Sequence, residues 1–158
     1  MVYIPKNAQW YWAEIIEEIT VQGELRNVVH RNIVLVNASS PTGAYDKAIE
    51  IGQRSETLYE NPEGATVKTR FRGLGSLDVI HDKLEHGAEL MYREDVGVSE
   101  KEIKKWVCPK ARLPLFREEN RRDLKPDYSS KEIVNEVRRL LDRESLASGR
   151  KQSRTKPA

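Results

Sequence analysis

Two stretches rich in β-branched and aromatic residues, Trp10 to Val21 and Val28 to Val36, flank Gln22-Gly23-Glu24. Strand side chains alternate between faces and a glycine-bearing turn reverses the chain, so the pattern predicts an antiparallel hairpin. Alternation places Tyr11, Ala13, Ile15, Ile19 and Val21 on one face of the first strand. Trp10, Trp12, Glu14, Ile16 and Glu18 take the other, which is unusually apolar at its start. The second strand carries Val28, Val34 and Val36 on one side and Val29, Ile33 and Leu35 on the other. Apolar residues on both sides predict a central strand covered on both faces.

Ser39-Ser40-Pro41 supplies a helix cap and a proline suited to the first turn, and Ala44, Tyr45, Ala48, Ile49 and Ile51 recur at helical spacing. A helix from about Pro41 to Arg54 is expected. Turn formers in Glu60-Asn61-Pro62-Glu63-Gly64 precede Thr66 to Arg72, a third strand with Val67, Thr69 and Phe71 opposite Lys68, Arg70 and Arg72. Gly73-Leu74-Gly75 permits a bulge or bend, Leu77, Val79 and Ile80 form a short apolar segment, and Ala88 to Tyr92 is expected as a further strand.

Ser99 with Glu102 forms a capping box and Val98 with Ile103 a hydrophobic staple, which predicts a helix to about Val107, stopped by Pro109. The three prolines from Pro109 to Tyr128, Pro109 included, indicate an extended arm with Leu113, Leu115 and Phe116 as anchors. Ser129 and Glu132 suggest a second capping box ahead of the apolar stripe Ile133, Val134, Val137, Leu140 and Leu141. The expected architecture is α+β: a small antiparallel sheet of about four strands with one helix packed on it, plus a C-terminal helical arm. Residues 1–108 form the α+β domain, 109–146 the arm and its amphipathic helix, and 147–158 a disordered tail.

Of the 158 residues 33% are charged, and no apolar run approaches the about 18 residues of a membrane span. No apolar leader opens the chain, so a cytoplasmic location and no membrane partner are expected. The net charge of +2 conceals a split: residues 1–108 hold 13 Lys and Arg against 17 Asp and Glu, residues 109–158 hold 14 against 8. An acidic body with a basic tail predicts a tail that folds back on the body or reaches an anionic partner.

From Tyr11-Trp12-Ala13 the order of features continues through the valine-rich second strand, the Ala44/Ala48 helix, and Tyr59-Glu60-Asn61 with Gly64. Phe71-Arg72-Gly73-Leu74, Leu77-Asp78, Asp82, Leu84, Gly87, Glu89, Leu90 and Tyr92 follow. Over roughly residues 10–93 this resembles a bacterial family catalogued as domain-of-unknown-function family 4288. The resemblance implies a small bacterial intracellular domain and brings no known activity and no catalytic residue.

The chemistry-bearing residues are sparse. His81 and His86 stand five apart, off the four-residue spacing by which one helical face holds a metal, and His30 lies among strand valines. The single Cys108 ends a predicted helix, where the dipole opposes a thiolate. No metal site, cofactor or catalytic residue is expected. Asp78, Asp82, Glu85 and Glu89 form a carboxylate series whose spacing alone does not show convergence, and Tyr92 lies beside it.

Lys68, Arg70 and Arg72 on one strand face can meet phosphates or an acidic protein, or can pair with Glu14 and Glu18 on an adjacent strand. Trp10, Trp12 and Ile16 present an apolar patch, and Ile133, Val137, Leu140 and Leu141 offer a matching stripe to cover it. The expected function is therefore a non-catalytic protein-interaction module acting through the sheet face and the arm, with a second copy or another protein as partner. The alternatives are nucleic-acid binding through the basic strand and the tail from Arg138 to Lys156, and a small enzyme using Asp78, Asp82, Glu89 and Tyr92.

Overall fold

The computed structural model describes residues 3–116 and 125–152. One compact unit comprises the chain up to Val79 together with the part from Lys125 onward, and Ile80–Leu124 forms a second.

In the first unit, β1 (Trp10–Val21) and β2 (Val28–Asn37) form the expected hairpin, with Gly23 at a positive φ of 85° in the turn. Then come α1 (Pro41–Arg54), β3 (Thr57–Glu60), β4 (Thr66–Val79) and, after the second unit, α3 (Lys131–Gln152). The four strands are antiparallel in the order β2-β1-β4-β3.

The sheet differs from expectation in three places. β2 is an edge strand, not a central one, and Val29, Ile33 and Leu35 are exposed. The fourth strand is β3, not Ala88–Tyr92, which is irregular. β3 takes the free edge of β4 by pairing Thr57 with Thr69 through Glu60 with Thr66. And β4 continues seven residues past Arg72, because two bulges reset its alternation. Opposite β1 the register skips Gly75 between Glu14 and Ile15, and Arg72 between Ile16 and Glu17, with Gly73 at φ 131°. Each extra residue swaps faces. Thus Leu74, Leu77 and Val79 lie opposite Ile15, Ala13 and Tyr11 on the core side.

α1 starts as predicted, with Ser40 accepting from the Gly43 N–H at 3.1 Å and Pro41 in the first turn. Its buried Ala44, Ala48 and Gly52, four apart, bring the helix backbone close to the sheet. At Gly52 the approach is so tight that a methyl group would overlap the Phe71 ring. Tyr11, Ala13, Val36, Ala38 and Val79 complete the core beneath α1. A smaller cluster of Ile19, Val21 and Val67, flanked by Tyr59 and Tyr128, fills the far end of that face.

The second unit contains α2 (Glu100–Trp106) and two short 3-10 turns, Lys110–Arg112 and Pro114–Phe116. The Ser99/Glu102 capping box forms reciprocally, and its hydrogen bonds hold the Glu102 carboxyl below its usual range. Leu113, Leu115 and Phe116, the expected anchors of the arm, are exposed. α3 begins at Lys131, which puts Ser130, not Ser129, at its cap. Its backbone runs past residue 146 to Gln152, and the rest of the expected tail, 153–158, lies outside the described residues.

Candidate functional site

The register of β1 against its neighbours defines the sheet face turned away from α1. Directly opposed residues share a face, so Leu35, Ile33, Arg31 and Val29 of β2 stand beside Trp12, Glu14, Ile16 and Glu18 of β1. On the other side, Arg70 lies opposite Glu18 and Lys68 opposite Thr20. Val29, Ile33 and Leu35 are 52%, 57% and 46% exposed, and Trp10 at the end of the same face is 37% exposed. Ile16 is half-buried and Trp12 is buried. The face therefore carries an apolar strip along β2 and β1 and a basic row on β4.

Its two central carboxylates are committed within the sheet. Arg31 donates through Nε and Nη2 to the Glu14 carboxylate at 2.7 and 3.0 Å, a two-pronged pair that raises the arginine pKa. Glu18 accepts from Asn27 Nδ2 at 2.7 Å and pairs with Arg72 Nε at 3.6 Å. The expected pairing of β1 acids with the basic strand thus holds for Arg72, while Glu14 is taken by Arg31. Among the described residues, Lys68 and Arg70 are in no ion pair and are exposed.

The C-terminal stripe does not cover this face within the chain. Ile133, Val137, Leu140 and Leu141 are all exposed, so the expected docking of α3 over Trp10, Trp12 and Ile16 is not formed. What holds the arm is a latch at the opposite corner of the sheet. The Tyr59 hydroxyl donates to the Tyr128 carbonyl, and Asn61 Nδ2 donates to the Asp127 carbonyl at 2.9 Å. Asn61, 1% exposed, also accepts from the Glu63 and Ala65 amides at 3.1 and 2.8 Å, tying the latch to the β3–β4 turn. The Tyr128 ring stands edge-on to His30 at 5.6 Å, Pro126 is buried, and Lys131 Nζ lies 3.9 Å from Glu60. Burial of Tyr59, then its neighbours Tyr128 and Asp127, push the phenol pKa up. Sequence reasoning missed this anchor; its only local signal is the Pro126-Asp127 turn, where Asp127 Oδ1 accepts the Ser129 amide at 2.9 Å.

Two members of the carboxylate series accept local backbone amides, and Glu85 pairs with Lys83 at 3.3 Å. Asp78 Oδ1 accepts the Val79 amide at 2.7 Å, and Asp82 Oδ2 accepts the Glu89 amide at 2.9 Å in the turn containing Gly87. Tyr92, His81, His86 and Cys108 are exposed. Among the described residues no three His, Cys, Asp or Glu side chains gather as metal ligands, and no helix is long and apolar enough to cross a membrane.

No curated protein and no solved structure is significantly similar to this chain. A family model, DUF4288, described as a domain of unknown function, matches residues 10–92. The match takes in the whole sheet and α1 and ends before α2 and the latch residues Asp127 and Tyr128. With more than half of its length matched, the chain belongs to the DUF4288 family.

Proposed function

We propose that the protein is a non-catalytic interaction module of the bacterial cytoplasm that binds a second copy of itself or another protein through the outer sheet face and the C-terminal arm. The observation that carries this reading is the exposure of Val29, Ile33 and Leu35 on the outer face of the edge strand β2, with Arg31 between the first two, while the opposite face turns Val36 into the core. Contiguous exposed apolar residues with a charged border mark binding surfaces, whereas isolated ones are ordinary. The unburied stripe of α3 supplies a second such surface.

Replacing both Ile33 and Leu35 with Asp tests the reading. At exposed positions the pair should change stability by no more than about 1 kcal/mol in total. The variant should lose self-association in sedimentation velocity or lose a protein captured from the native cell by the unmodified chain. A variant that matches the unmodified chain in both assays would contradict it.

Nucleic-acid binding is the second reading, favoured by the uncommitted Lys68 and Arg70. Two cations beside an apolar strip make a small phosphate footprint, and Arg72 is already engaged by Glu18. Binding to mixed oligonucleotides that falls steeply with added salt supports this reading; no binding at low salt removes it.

A further inference from the structure

We infer that the occupant of the outer sheet face is α3 of a second copy, exchanged reciprocally about a two-fold axis. The inference rests on the binding role proposed for that face and adds the identity of what binds. Both halves of the contact are present in every chain and neither is used within it: the strip of Val29, Ile33 and Leu35 is exposed, and so are Ile133, Val137 and Leu140. The latch at Asn61 and Tyr59 fixes the root of α3 at one corner of the sheet, so the helix is presented from a defined point without lying on its own strip.

At the start of the α3 stripe and at the Val29 end of the sheet strip the bordering charges are opposite in sign and similarly spaced. At 100° per residue, Glu132 and Glu136 run along one edge of the Ile133–Val137–Leu140 stripe. One turn separates them, about 6 Å along the helix axis. On the sheet, Arg70 stands across Glu18 from Val29 at one end of the strip and Lys68 lies beyond that end, two residues apart, which is about 6.6 Å along a strand. Among the described residues none of these four is in an ion pair. A helix laid with its stripe on the strip and its first turns at the Val29 end sets the acid pair beside the basic pair. Because each chain offers one helix and one sheet face, two such contacts close a dimer and leave neither surface free.

Two single-cysteine chains test this, Ile33→Cys and Leu140→Cys, each also carrying Cys108→Ser so that no other thiol reacts. Both sites are exposed, so folding is retained and is checked by circular dichroism. Under mild oxidation the mixture is expected to give a disulfide-linked species of twice the chain mass, with little from either variant alone. Efficient cross-linking of the Ile33→Cys chain with itself would place sheet on sheet and overturn α3 as occupant while leaving the binding role of the face intact. Linkage at single-chain mass when both cysteines share one chain would show docking within the chain and overturn the exchange. A monomeric unmodified chain with no cross-link would overturn the second copy, and capture from the native cell then decides the broader reading separately. Reversing Lys68 and Arg70 to Glu should weaken the dimer at least about tenfold, and reversing Glu132 and Glu136 to Lys in the same chain should restore it. Weakening without restoration would count against the pairing.

Discussion

The phenol of Tyr59 donates a hydrogen bond to the backbone carbonyl of Tyr128, 69 residues further along the chain. With the neighbouring bond from Asn61 to Asp127, it ties the C-terminal helix to the edge strand of the family-matched sheet. The latch sits on the core side of the sheet, in the cluster with Val21 and Val67, and so leaves the outer face clear.

Asn61 is the hub of this latch. Replacing it with Ala leaves the Glu63 and Ala65 amides and the Asp127 carbonyl without their partner in a site where the side chain is almost fully buried. A loss of about 2 to 3 kcal/mol is expected in urea unfolding followed by tryptophan fluorescence. A change under about 0.5 kcal/mol would mean that water replaces all three bonds at little cost.

The latch should weaken in alkali. Burial first, then Tyr128 and Asp127, raise the Tyr59 pKa in the folded chain above its ordinary value of about 10. A raised folded value means that the contribution to stability is complete below the ordinary pKa and is lost as pH rises through the raised one. Tyr59→Phe should remove one late-titrating phenol from the tyrosine absorbance titration and flatten the alkaline loss of stability. Loss of a phenol that titrates in the ordinary range instead would place Tyr59 in water.

Gly52→Ala sets two effects against each other. Alanine in a helix interior gains about 1 kcal/mol over glycine, but the added methyl overlaps the Phe71 ring, and overpacking of this kind costs about 1 to 3 kcal/mol. Net destabilisation is expected, reversed in part by Phe71→Leu, which makes room. A stabilised single variant would show that α1 can lift from the sheet without loss.

What the sequence disclosed was local. The β1–β2 hairpin, the Ser40-Pro41 start of α1, the Ser99/Glu102 box and the glycine-rich bulge follow from neighbours a few residues apart. Apolar residues on both sides of β2 were legible too, but periodicity reports what a face is made of, not whether anything covers it. The inference of a central strand failed at Val29, Ile33 and Leu35 for that reason. β3 is four residues with no alternating pattern and exists through its pairing with β4, while Ala88–Tyr92 has the composition of a strand and no edge to join. Of the candidate site, the basic row and the α3 stripe were visible. The Tyr59–Tyr128 latch was not, since its two ends lie in different parts of the chain.

Methyl resonances of Val29, Ile33 and Leu35, followed in the full chain as it is diluted, test the central claim most directly. Association through the outer face predicts that these methyls, together with those of Ile133, Val137 and Leu140, shift with concentration while the core methyls of Ile15, Val36 and Val67 hold still. If the chain associates and the outer-face methyls do not move, or if they are unchanged at every concentration and with every partner captured, that face is not where this protein binds.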